Sequence, residues 1–202
     1  ASLGGDYSCA EAGPRPAQDQ AEVLQHGVAA HLGALHHAGE APGAQRDGVG
    51  TAHPGQAQAT VAAGHSVGSH SNGHALLSHL SYADIASRLA IDKAAWWSVA
   101  RATPTPYFRP PYGDYDATVL DAAGDQGFRY TVLWDVDPND WQSPGSSAIA
   151  SRVLGSARPG SIVLLHVKSQ TAAALPTILA GLRARGLQQS SLSELFRANG
   201  WH

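Results

Sequence analysis

The sequence predicts an α/β fold built on parallel strands, and three observations carry that expectation. From Val61 onward, helical and extended patterns alternate along the chain. "SIVLLH" (161–166) is an unbroken apolar run, as a strand buried on both faces requires. Polar residues gather where the expected strands end: "RPPYG" (109–113) follows "TPYF", "DVDPNDW" (135–141) follows "YTVLW", and His166 follows "IVLL". The carboxyl ends of strands carry the functional groups in parallel α/β folds, so this placement points to a shared site.

The elements follow in order. "LSYADIASRLAIDKAAWW" (80–97) reads as a helix, with Ser81 and Asp84 spaced as in a capping box and Ile85, Leu89 and Trp96 on one face. "TPYF" (105–108) is a short strand before a proline pair, and "ATVLDAAGDQG" (117–127) a helix with a glycine near its end. "FRYTVLW" (128–134) is a strand, "SSAIASRVLGSA" (146–157) a helix, and "SIVLLH" the next strand. "AAALPTILAGLRARG" (172–186) is a helix closed by Gly186, and "SLSELF" (191–196) begins a terminal helix or turn.

The first 60 residues are unlike the rest. They contain no Ile, Phe or Trp, and so have little to offset the entropy of ordering. "GEAPGAQRDGVGTAHPGQAQ" (39–58) has neither helical nor strand periodicity and reads as a loop or disordered tract. It is either an irregular but real part of the fold or a stretch whose recorded sequence is unreliable.

A length of 202 residues suits a single domain over 1–202, with 1–60 as its atypical N-terminal part. A net charge of −3 argues against a nucleic-acid or anionic-membrane surface. Only 14% of residues are charged, so Ser, Thr, Gln, Gly and Ala must supply much of the surface, as is common in secreted proteins. Cys9 is the only cysteine, which excludes an internal disulfide and a cysteine-based zinc site. With no long apolar run and no basic-then-apolar leader, a soluble chain without a membrane span or signal peptide is expected.

Each polar motif alone has a plain reading. Asp135, Asp137 and Asn139 occupy the first, third and fifth places of a calcium loop, but Asp140 replaces the required Gly and Ser146 the required Glu. "RPPYG" alone is a rigid turn, since two prolines fix φ and Gly113 frees it. His166 alone is a hydrogen-bonded core histidine. In "HSNGH" (70–74), a spacing of four puts two imidazoles on one side of a helical turn, which suits zinc, while Gly73 weakens that turn.

Together, "GHSVGSHSNGH" (64–74), "FRPPYG" (108–113), "WDVDPNDW" (134–141) and "IVLLH" (162–166) resemble the NodB-type polysaccharide deacetylases, carbohydrate esterase family 4. The resemblance implies a distorted (β/α) barrel carrying a divalent metal, most often zinc, with cobalt possible. It implies hydrolysis of N-acetyl or O-acetyl groups on a glycan such as chitin oligomers, peptidoglycan or acetylxylan. His70 and His74 would be metal ligands, and Arg109 would orient the catalytic base. The backbone N–H of Tyr112 would help bind the oxyanion. Asp140 would pair with Arg109 or with the catalytic histidine. Trp141 and Leu164 would line the acetyl pocket, and His166 would be the general acid. The class further implies a secreted or cell-envelope protein, expected as a monomer, whose partner is an acetylated polysaccharide or oligosaccharide. The chemistry suits these residue types: a metal polarises the carbonyl, a carboxylate takes the proton of water, and a histidine returns one to the leaving group.

The match departs at the N-terminus. The family's first strand ends in "TFDDG", whose two Asp serve as base and third metal ligand, and this chain has no Asp-Asp pair. In "SLGGDYS" (2–8), Asp6 could stand for the base, with Tyr7 where the metal Asp belongs; Asp19 is the other candidate. "HGVAAHLGAL" (26–35) is a faint echo of the family's next strand. Three readings follow: an active deacetylase, a catalytically inactive glycan-binding relative, or an α/β domain with structural histidines.

Overall fold

The computed structural model describes residues 53–200 and, as backbone, residues 10–11 and 29–30. The strands are β1 (Ala10–Glu11), β2 (Ala29–Ala30), β3 (Tyr107–Phe108), β4 (Tyr130–Thr131) and β5 (Ile162–Val163). The α-helices are α1 (Pro54–Ala62), α2 (Tyr82–Ala100), α3 (Ala117–Asp125), α4 (Ser146–Ser156), α5 (Ser169–Ala184) and α6 (Leu192–Ala198). The chain divides into two compact units. One comprises Cys9–Pro16 and Gly33–Leu133 and is termed the His70 unit. The other comprises Ala1–Ser8, Ala17–Leu32 and Trp134–His202 and is termed the His166 unit.

In the His70 unit, β4 lies between β3, with which it is parallel, and β1, with which it is antiparallel. The β1 pairing departs from the all-parallel expectation. Helix α1 corrects the assignment of residues 39–58 to a loop, since it begins within that tract. Pro54 is harmless in the first turn, where its missing N–H would have no intrahelical partner. Ala57 packs with Val67 and Trp96, so tertiary contact supplies what the local sequence lacks.

Helix α2 starts as the sequence predicts. The Ser81 hydroxyl accepts from the Asp84 N–H at 3.2 Å and donates to the Asp84 carboxylate at 2.7 Å. The return bond reaches the hydroxyl rather than the Ser81 N–H, so the motif is half of a capping box. The buried face of α2 carries Ile85, Leu89 and Trp96, and also Asp92. Ile85 and Leu89 join Leu77, Phe108, Val119, Ala122 and Phe128 in one core.

In the His166 unit, β2 pairs in parallel with β5, Ala29 opposite Ile162 and Ala30 opposite Val163. The backbone of the weak 26–35 segment is therefore extended at its centre. Helix α5 begins three residues before the predicted start and contains Pro176. It packs on α4 through Gly181, where an added Cβ would lie 2.6 Å from Leu154 Cδ1. Val136, Ile149, Val153, Val163, Leu165, Ile178 and Leu182 fill this unit's core. Helix α6 carries a complete capping box, Ser191 with Glu194. Among the described residues, no helix is long and apolar enough to cross a membrane.

Candidate active site

The His70 unit holds the first group of candidate residues on two loops anchored to β3. Ser69 is the anchor of "HSNGH": its N–H donates to the Tyr107 carbonyl at 2.9 Å, and its carbonyl accepts from the Arg109 N–H at 2.8 Å. The next residue, His70, places Nδ1 2.7 Å from the Arg109 carbonyl. A carbonyl can only accept, so Nδ1 carries a proton, and in the neutral ring Nε2 is the nitrogen with a lone pair.

The loop is not the helical turn that the spacing suggested. Ser71, Gly73 and His74 all have left-handed backbone, with φ of 65°, 84° and 43°. These turns reverse the chain and set the His70 and His74 rings 5.0 Å apart, edge to face. Gly73 answers two demands at once. Its φ favours glycine, and an added Cβ would lie 2.7 Å from Arg88 Nη1.

The second loop carries "RPPYG". Arg109 is 2% exposed, and its Nε donates to the Val132 carbonyl at 3.3 Å. Tyr112 has φ 60° within the short turn Pro111–Gly113. Its side chain is 65% exposed, yet its ring centroid lies 4.4 Å from that of His74. Asp114 ties the loop down by accepting from the Ser78 N–H at 2.8 Å and hydroxyl at 2.7 Å. Burial pushes the Asp114 carboxyl up, but the two Ser78 bonds and His79 outweigh it and hold it below its ordinary value.

The His166 unit holds the second group. Asp140 is wholly buried and accepts three hydrogen bonds. They come from the His166 ring Nδ1 at 2.7 Å, the His166 N–H at 2.7 Å and the Thr171 hydroxyl at 2.6 Å. Burial alone would raise the Asp140 carboxyl; the bonds from the His166 ring, Thr171 and the His166 N–H outweigh it and keep it ionised below the usual range. Of the two partners the sequence left open for Asp140, its carboxylate here holds His166. The neighbouring acids hold other groups instead. Asp135 accepts from the Ser161 hydroxyl and the Ile162 N–H, each at 2.7 Å, and Asp137 from the Asn139 N–H at 2.7 Å. Trp141 is half exposed, and its carbonyl accepts from Lys168 Nζ at 2.8 Å. Leu164 is buried just past β5, its N–H bonded to the Val136 carbonyl at 2.9 Å.

The structure thus groups His70, His74, Arg109 and Tyr112 in one unit, and Asp140, Trp141, Leu164 and His166 in the other. Asp6 and Asp19 lie outside the described residues. Among the described residues, no three His, Cys, Asp or Glu side chains are arranged to hold a metal ion. The two imidazoles still suit one: the tautomer of His70 is fixed by a carbonyl, as metal-ligating histidines commonly require. The described donors fit two positions of a metal site.

Sequence reasoning missed Thr171, Arg88 and Asp92. Thr171 gave no signal beyond its nearness to His166. Asp92 did give one: it is the polar residue in the apolar series 85, 89, 92, 96, where a carboxylate needs a reason to be buried.

The polysaccharide deacetylase family pattern matches residues 35–131. A chitooligosaccharide deacetylase of Sinorhizobium fredii is 34% identical, with 66% of this chain and 68% of that protein covered. A peptidoglycan-N-acetylglucosamine deacetylase of Bacillus cereus is 36% identical, with 66% and 64% covered. Among solved structures, a family 4 carbohydrate esterase pseudoenzyme from Bacillus anthracis aligns with a TM-score of 0.69 at 29% identity, covering 72% of this chain and 51% of that one. A mutant of that pseudoenzyme with restored enzymatic activity aligns equally well, with a TM-score of 0.69. The chain belongs to the polysaccharide deacetylase family and has its α/β fold class. It spans about two thirds of these relatives and about half of that solved structure.

Proposed function

We propose that the chain is a metal-dependent deacetylase that removes N-acetyl or O-acetyl groups from a glycan, with chitin oligomers, peptidoglycan and acetylxylan as candidate substrates. The observation that carries this reading is the wholly buried Asp140 gripping the ring of His166. A carboxylate on Nδ1 fixes the ring and aims Nε2 away from it, as the position of a general acid requires. The names of the chitooligosaccharide and peptidoglycan deacetylase relatives support the substrate class.

In this reading His70 and His74 hold a divalent metal, zinc or cobalt, and Asp6, with Asp19 as the other candidate, is the carboxylate base that takes the proton of the attacking water. Such an ion, when bound, would polarise the acetyl carbonyl and acidify the attacking water. The chain's own groups do the rest. Arg109 orients the base, and the Tyr112 N–H donates to the carbonyl oxygen as negative charge develops there. The acetyl methyl lies against Trp141 and Leu164. As the C–N or C–O bond breaks, His166 Nε2 gives its proton to the leaving amine or alkoxide, and Asp140 keeps the ring in place. An acetylated polysaccharide as substrate fits a protein that works outside the cell or in its envelope.

The test is acetate release from N-acetylglucosamine oligomers, peptidoglycan and acetylated xylan, with zinc, with cobalt and with EDTA. Metal-dependent release is expected; no release with either metal would sink the reading. A second reading, an inactive glycan binder, is favoured by the lack of an Asp-Asp pair and by the likeness to a pseudoenzyme. It predicts oligosaccharide binding without acetate release, and restoration of turnover when the missing carboxylate is supplied.

A further inference from the structure

We propose that Arg88 and Asp92, one turn apart on α2, are positioning residues that grip the His70–His74 loop at its start and at its centre and thereby set its affinity for metal. The inference rests on the metal reading of His70 and His74 above. Arg88 is half-buried and donates from Nη1 to the Asn72 carbonyl at 2.7 Å, in the centre of the loop. The guanidinium takes the space that a side chain at position 73 would need. Asp92 is 7% exposed and takes a hydrogen bond from Ser69, the residue immediately before His70. Ser69 Oγ in turn accepts from the Ser71 N–H at 3.2 Å, just past His70.

The design is costly for a merely structural contact. Asp92 Oδ2 is buried without a hydrogen-bond partner among the described residues. Burial, only partly countered by Ser69, pushes its carboxyl up to about 6. An apolar residue would complete the buried face of α2 at lower cost. The carboxylate instead spends its one bond on the hinge of the histidine loop. The loop needs such support, because three of its five residues, Ser71, Gly73 and His74, hold left-handed backbone. Two imidazoles bind one ion well only if their separation is fixed beforehand, since otherwise ordering the loop is deducted from the binding free energy.

The test titrates cobalt chloride into the full chain, followed by visible absorption, with zinc chloride in competition. The variants are Arg88→Ala, Arg88→Lys, Asp92→Ala and Asp92→Asn. Arg88→Ala and Asp92→Ala should each weaken zinc binding by about 10–100-fold, the usual effect of removing a residue that orients a ligand. Asp92→Asn keeps an oxygen for Ser69, and Arg88→Lys keeps a donor for Asn72, so both should recover most of the affinity. Thermal melts of the metal-free variants separate positioning from folding. Variants that melt lower yet bind zinc like the parent overturn the inference. If Asp92→Ala does not fold, the half-buried Arg88 pair decides it alone. A parent chain that takes up neither metal overturns the metal reading itself; parent uptake with unchanged variants overturns only the clamp.

Discussion

His166 and His70 each hold Nδ1 2.7 Å from an oxygen, but the oxygens differ in kind. His166 faces a buried carboxylate, whereas His70 faces the backbone carbonyl of Arg109. A carboxylate on Nδ1 fixes the ring and leaves Nε2 free to face a substrate, which suits a residue that hands on a proton. A carbonyl fixes the tautomer and adds no formal charge, which suits a ring that offers its lone pair to a metal. The supports differ as well. Asp140 is satisfied by three donors, so the His166 side is a closed polar cage. The His70 side is a strained loop propped from a helix.

The sharpest way to break this contrast is to remove each histidine in turn. His166→Ala should lower acetate release by about 10²–10⁴-fold, the scale of a lost general acid, with zinc affinity unchanged. His74→Ala should abolish zinc uptake. If both variants lose metal equally, the division of labour is wrong.

Asp140→Ala should be the costliest for stability. It strands the His166 ring, the His166 N–H and the Thr171 hydroxyl, and a loss of about 3 kcal/mol in urea unfolding is expected. The sign of the pH effect follows from the depressed carboxyl. The Asp140 contribution is complete above the ordinary value near 3.8 and is lost as pH falls through the lower folded value. A variant as stable as the parent at neutral pH would show that the cage is not cooperative.

Asp92 should behave in the opposite sense. Its folded carboxyl is raised to about 6, so between the ordinary value near 3.8 and 6 the unfolded chain ionises first. Stability from this site is therefore highest below 3.8, falls as pH rises to about 6, and stays low above it. Asp92→Asn should flatten that slope and stabilise the protein at pH 7 by on the order of 2–3 kcal/mol. Unchanged pH dependence of the urea midpoint would contradict this.

The smallest effect belongs to Thr171→Val, at about 1 kcal/mol for one hydrogen bond among three. The acid limb of the pH profile for acetate release should shift if Thr171 tunes Asp140, and stay put if it only packs.

Much of this was legible because regular elements announce themselves. The face of α2 at Ile85, Leu89 and Trp96, the strand at Ile162–Val163 and the Ser81–Asp84 start of α2 all follow from local periodicity and capping chemistry. Helix α1 was not, since Ala57 is held by Val67 and Trp96 rather than by its own neighbours. At the site, the histidines were visible as spacing, but how they converge was not. The spacing implied a helical turn, and left-handed residues perform the same task with different backbone. Which partner Asp140 takes, and the service of Arg88 and Asp92 to a loop 16 or more residues away, are contacts that no local pattern encodes.

The ring of Tyr112, set against His74, has a spectroscopic consequence. Eleven imidazoles would crowd the same region of a proton NMR spectrum. The magnetic anisotropy of the tyrosine must displace the carbon-bound protons of His74 from that crowd. Tyr112→Ala would return them, and so assign the resonance without isotope labelling. Cobalt held by that imidazole would then broaden a marked pair of lines, which makes the loop its own gauge of occupancy.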